Sequence, residues 1–212
     1  MTATSRRFLL LGLALLAGGT LPGSRAAAQQ MDVGRATSFI QATGQDLVAA
    51  INSNAPVTQR RERVAEILRR AVDVQGVGRF ILGRWWRQAN PQQQQEYLRL
   101  FEQVLIHNLA ARFGEYQGVR FGLGRTQQRT EEDVLVNTVV ERPSSPAFGL
   151  DWRVAEVDGR PMIVDVIAEG TSLRLTTRSE YSSVITRNGG NVGALLAAMR
   201  NQIQQLATRA TG

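Results

Sequence analysis

The 212-residue chain contains no cysteine. Disulfides, thiolate metal sites and thiol catalysis are therefore excluded, and any exported form must be held together by its core. It also contains no lysine: all 25 basic residues are arginine, which removes Schiff-base chemistry. There is one histidine, His107, inside the helical pattern of "LIHNL". Alone, it reads as a surface or satisfied core residue rather than a metal ligand. The first acid of the chain is Asp32. The apolar run Phe8 to Ala17 is too short for comfort in a bilayer, where a helix needs about 20 residues.

That acid-free start has three parts. Arg6 and Arg7 precede the apolar run, and "RAAAQ" at 25–29 offers a small-residue cleavage site. This is the pattern of a secretory signal peptide over residues 1–28, cut between Ala28 and Gln29. The residue usual between a twin-arginine pair and its Phe is missing, so the general secretory route is favoured. Residues 29–212 then keep 22 arginines against 18 acids, a net charge of +4. Scattered arginines at that balance do not argue for nucleic acid. They suit anionic headgroups or an acidic partner.

Helical spacing runs through "VGRATSFIQATGQDLVAAINS", and again through "VTQRRERVAEILRRAVD" with Thr58 as N-cap. A short Gly-punctuated helix is expected over Val77 to Leu82. Asn90–Pro91 reads as a helix start with Gln93 completing a capping box. The apolar stripe of that helix is Tyr97, Phe101, Val104, Leu105, Leu109 and Phe113. After Gly118 the period becomes two. Four strands are expected, the last as "RPMIVDVIAEGTSLRL", and Asp158–Gly159 should close a hairpin. Two helices follow, split at Asn188–Gly189–Gly190. Residues 29–117 thus form a mainly helical part, and 118–212 a sheet with C-terminal helices, in one domain. Segregated runs of this kind indicate an α+β fold.

Trp85 and Trp86 pose a separate problem. Neighbouring side chains point in different directions on any regular element, so the two indoles cannot share one pocket. One should take a core position and the other should face elsewhere.

Three segments together resemble the MlaC, or toluene-tolerance, family of periplasmic lipid carriers auxiliary to an ABC transporter. In "FILGRWWRQANPQQQQEYLRLFEQVL", Gly83, Trp86, Arg87, Ala89 and Pro91 match, with Asn90 in place of the usual Thr. The match makes Trp86 the expected core residue, and Trp85 should face a cavity edge, solvent or a partner. "LDWRV" at 150–154 is close to the family's Asp-Tyr-Arg. In "VDVIAEGTSLRLTTRSEYSSVITRNG", Asp165, Gly170, Ser172, Leu173, Arg178 and Tyr181 fall in register. Thr177 and Tyr181 depart from the usual Tyr and Phe. A branch of the family is associated with hopanoid genes, and residues alone do not separate the two.

The resemblance implies a nuclear-transport-factor-like curved antiparallel sheet wrapped by helices, with a helical subdomain. It implies a periplasmic, non-catalytic phospholipid shuttle of an outer-membrane lipid-asymmetry pathway, with no cofactor and lipid as cargo. The implied partners are an inner-membrane MCE-domain ring on an ABC transporter and an outer-membrane lipoprotein–porin complex. A monomer is the default for a diffusing carrier.

On residues alone the apolar strand faces read as core. The resemblance turns them into the lining of a cavity near the upper end of the roughly 300–1,000 Å³ of ligand pockets. The candidates are Val134, Val136, Val140, Phe148, Leu150, Trp152, Val154, Val164, Val166, Leu173 and Leu175, with Trp85, Leu105 and Tyr181. Val154→Trp should then block uptake and spare the fold. Arg153 and Arg178 are candidates to meet a phosphate near the mouth, although Arg178 in a structural salt bridge is as good a reading. Two alternatives remain: a solid interaction module, and an enzyme using Asp151 or Asp165 as its buried acid or base.

Overall fold

The structure, a computed structural model, describes residues 31–113, 115–143 and 145–209. The expected signal peptide and its cleavage site lie outside the described residues. Five helices come first: α1 (Val33–Asn52), α2 (Val57–Ala71), α3 (Val74–Leu82), α4 (Arg84–Gln88) and α5 (Pro91–Ala110). The strands β1 (Arg120–Gln128), β2 (Asp133–Arg142), β3 (Ser145–Val157), β4 (Arg160–Ala168) and β5 (Thr171–Ser172) follow, then α6 (Leu173–Arg187) and α7 (Val192–Arg209). The strands form one open antiparallel meander in chain order. The α+β class expected from the sequence is the observed one.

Local chemistry sets most boundaries. Asp32 caps α1 by accepting from the Arg35 amide at 2.8 Å, and Asp73 caps α3 through Gly76. At α5 the capping box is complete: Asn90 Oδ1 accepts from the Gln93 amide at 2.9 Å, and Gln93 Oε1 from the Asn90 amide at 3.0 Å. Asn90→Ala should cost about 1 kcal/mol, measured by urea denaturation with an unchanged m-value. α2 differs from expectation. It starts at Val57 behind Pro56, and no side chain caps it, so Thr58 lies inside the first turn.

The hairpins are tight. Asp158 and Gly159 both take positive φ between paired Val157 and Arg160, the geometry of a type I′ turn. Glu169 and Gly170 repeat it between Ala168 and Thr171. This second turn breaks the expected long fourth strand. Only Thr171 and Ser172 pair beyond it, and Leu173 and Leu175 fall on the first turn of α6. Ser172 caps that helix through the Leu175 amide, and the local cap wins over the alternating pattern.

Buried side chains gather in three clusters. The largest joins α3, α4, α5, α6 and α7 around Tyr97, Leu82, Ile185, Leu195 and Met199. A second packs Met31, Ala36 and Ile40 against Val134, Val136, Val154 and Ile163 of the sheet. A third joins the ends of α1 and α5 to α2 and Val140. Tyr97 is fully buried and donates to the Gly78 carbonyl at 3.0 Å. Burial, then the Tyr181 phenol, pushes its own phenol far above its ordinary value.

The tryptophans correct the expectation. Trp85 is the buried one, and Trp86 is half-buried. Gly83 ends α3 at φ +56°, a conformation that costs other residues, and a Cβ there would press on the Arg178 guanidinium. The chain restarts as α4 at Arg84. Trp85 then packs in the large cluster and donates to Ser182 Oγ at 3.2 Å. Trp86 stands edge-on to Tyr97, with Arg79 over its ring.

Candidate functional site

Between the helices and the sheet the three clusters do not meet, and two chambers remain. The first, of about 160 Å³, lies among α1, the end of α5 and strands β1 to β3. The second, of about 200 Å³, lies among α1, α2, α3, α5, β4 and the start of α6. Thr43, Leu47, Leu109, Trp152 and Ile163 line both. Together the chambers reach only the lower part of the range for ligand pockets, roughly 300–1,000 Å³, not the upper end expected. These five shared residues form the wall common to both chambers.

The lining is almost wholly apolar. Two of its polar groups meet each other: Trp152 Nε1 donates to Thr138 Oγ1 at 2.8 Å, and that hydroxyl reaches the Leu150 carbonyl at 3.4 Å. Charge enters the lining only in the second chamber, with Asp165 and Arg174. Gly44 permits a close approach. A Cβ there would lie 2.3 Å from the ring of Phe121, which lines the first chamber.

Among the residues expected from the sequence, Val140, Phe148, Leu150 and Trp152 line the first chamber. Leu105, Trp152, Val164, Val166 and Leu173 line the second. The structure places the others elsewhere. Val134, Val136 and Val154 are fully buried in the second cluster against α1. Trp85 and Tyr181 belong to the large helical cluster, where burial and Glu180 push the Tyr181 phenol up to about 12. Leu175 is 55% exposed beside the second chamber and is not in its lining. Arg153 donates to Asp133 at 2.8 Å and is not in the lining of either chamber. Arg178 donates to the Phe80 carbonyl at 3.0 Å and lies over that ring.

A bulge explains part of this. Arg153 pairs with Asp165, but Val154 pairs with Ile163, so Val164 is an extra residue. An extra residue exchanges the faces on either side of it. Ile163 and Val166 therefore both join the cluster under α1, while Val164 packs on the helical cluster. Strict alternation puts Val164 with Val166 and hides Ile163.

Sequence reasoning missed the helical half of the lining: Ile40, Thr43, Leu47, Val48, Ile51, Ile67, Leu68 and Leu109. One signal was present. Leu47, Val48 and Ile51 make the apolar stripe of α1 broader than one packed face needs, and Leu47 and Val48 end up only half-buried.

The acids considered for catalysis are both engaged. Asp151 accepts from Asn137 Nδ2 at 2.7 Å. Asp165 accepts from Ser172 Oγ at 2.6 Å and from the Val166 and Arg174 amides. Among the described residues no group of His, Asp or Glu is placed to hold a metal ion, and no helix is long and apolar enough to cross a membrane. His107 lies on a polar groove between α2 and α5. Burial, then Arg61, lowers its pKa.

An open antiparallel sheet with helices over one side and an apolar, divided interior defines a class of α+β protein built around a hydrophobic compartment. The model of the MlaC protein family matches residues 41–201, and the chain belongs to that family. Among solved structures, a phospholipid-binding protein from Ralstonia solanacearum, in complex with a phospholipid, is similar at TM-score 0.72 and 23% identity. The match covers 81% of this chain and 98% of that one, and it shows a shared fold.

Proposed function

We propose that this protein is a periplasmic shuttle that carries phospholipid between the outer and inner membranes without chemistry of its own. The observation that carries the reading is the pair of adjoining apolar chambers left open between helices and sheet. A folded protein packs its interior to near-crystalline density, and space of this extent is a cost unless something fills it. Two-chain lipids have the matching need. About thirty chain methylenes, each worth roughly 0.8 kcal/mol on leaving water, forbid free transit through an aqueous compartment. Family membership and the phospholipid held by a protein of the same fold support the same cargo. The partners we propose are an inner-membrane MCE-domain ring on an ABC transporter and an outer-membrane lipoprotein–porin complex, met by a monomer.

The test is direct. Natively purified protein is extracted with organic solvent and the extract is analysed by mass spectrometry. The expected result is phospholipid near one molecule per chain. A clean extract, with no uptake from vesicles afterwards, ends the shuttle reading and leaves an interaction module.

A further inference from the structure

The lining of the second chamber holds a guanidinium whose hydrogen bonds its neighbours leave partly unmade. Arg174, on the first turn of α6, is part of that lining. Its guanidinium lies 4.2 Å from the centroid of the Phe80 ring, and its side chain is only 18% exposed. Nε is buried 3.3 Å from Asp165 Oδ2, yet it makes no aligned hydrogen bond. One terminal nitrogen reaches the Val164 carbonyl at a long 3.4 Å.

Asp165 has little left to give. Oδ2 already accepts from Ser172, and Oδ1 from two backbone amides. Farther back, Arg129 and Arg153 share Asp133. The cluster thus sets three guanidiniums against two carboxylates. Arg178 adds a fourth guanidinium over the same Phe80 ring, 4.9 Å from its centroid. Burial first, then Arg153, pushes the Arg174 guanidinium below its usual value. An arginine does not answer such a deficit by losing its proton. It answers by taking an anion, and a guanidinium fork fits the oxygens of a phosphate.

We propose that Arg174 seats the phosphate ester of the cargo lipid at the rim of the second chamber, with the acyl chains behind it. This rests on the carrier reading above and gives it a polar anchor. A phosphate anion is presented by a lipid headgroup and by free phosphate alike, and the apolar space behind Arg174 favours the lipid. The seat also separates phospholipid from uncharged two-chain lipids, which the chambers alone do not.

The experiment compares delipidated wild type, Arg174→Met and Arg174→Lys. The probes are dioleoyl phosphatidylglycerol, dioleoylglycerol and inorganic phosphate. Methionine keeps an apolar stem over Phe80, and lysine keeps the charge against Asp165. Wild type should prefer phosphatidylglycerol over dioleoylglycerol by roughly tenfold or more, the strength of one charged hydrogen-bonded contact. Arg174→Met should erase that preference by lowering phosphatidylglycerol affinity roughly tenfold more than dioleoylglycerol affinity, and Arg174→Lys should keep part of it. Equal loss on both lipids makes Arg174 structural and overturns the proposal, as does an unchanged preference. Inorganic phosphate binding that needs Arg174, without any lipid preference, assigns the seat to the free anion and overturns the lipid assignment. Wild type that binds neither lipid refutes the carrier reading itself. Failure of the seat alone leaves both lipids bound equally.

Discussion

Val154→Trp should destabilise the protein by about 3 kcal/mol or more, whereas Leu150→Trp should leave it folded and empty of lipid. The two residues lie on the same face of β3, four positions apart. Pairing register nevertheless gives them different surroundings. Val154 is 0% exposed and sits between Val134 and Ile163 under α1. An indole there has nowhere to go, and overpacking a close-packed site typically costs about 1–3 kcal/mol, with Val to Trp beyond the upper end. At roughly 2–4 °C per kcal/mol for a domain of this size, Tm should fall by about 10 °C. Leu150 is only half-buried and borders the first chamber. Its replacement pushes an indole into open space, where it competes with the cargo. Thermal denaturation and lipid content of an organic extract, measured on both variants, decide the matter. A fully stable Val154→Trp protein, or a Leu150→Trp protein with wild-type lipid content, contradicts this division of the sheet.

The second large effect is expected at Asp133. Its side chain is 2% exposed, and it holds Arg129 at 2.6 and 2.7 Å and Arg153 at 2.8 Å. Burial alone raises its pKa, but the hydrogen bonds and charges of the two arginines overcome this and hold the carboxyl below its ordinary value. A carboxylate with a lowered folded-state pKa stabilises the fold fully above its unfolded pKa. That stabilisation is lost as pH falls through the lower, folded value. Asp133→Asn should cost roughly 2–3 kcal/mol at neutral pH. That is below the ~3–5 kcal/mol of a fully buried pair, because the Arg129 side chain is 41% exposed and water can reach it. The difference from wild type should shrink as both proteins are taken below pH 4. A constant difference between pH 7 and pH 2 would mean that packing, not charge, makes Asp133 important.

Much of the architecture was legible because it rests on short-range chemistry. The capping box at Asn90, the turn at Asp158–Gly159 and the break at residues 188–190 involve neighbours in the chain, and the residues present have few other uses. The Glu169–Gly170 turn was harder. Glu169 is not a residue that announces positive φ, and the alternation around it hides the break. The candidate site was half legible. Phe148, Leu150 and Trp152 could be read from period two, whereas Ile163 was concealed by the extra residue at Val164. Arg178, matched by motif, proved to hold a carbonyl, and the unmatched Arg174 came to the lining of the second chamber.

The sequence by itself determined the order of helices and strands, the α+β class and the absence of thiol and lysine chemistry. These follow from residue identity and from contacts close along the chain. Only the tertiary structure decided which apolar faces meet and which stand apart. Val154 and Leu150 have the same period and similar hydropathy. What separates them is a bulge on the next strand and the closeness of α1, which packs directly on Val154 and faces Leu150 across the first chamber. Packing against a surface and bordering a void call for the same side chains, so the difference exists only once the elements are set against one another.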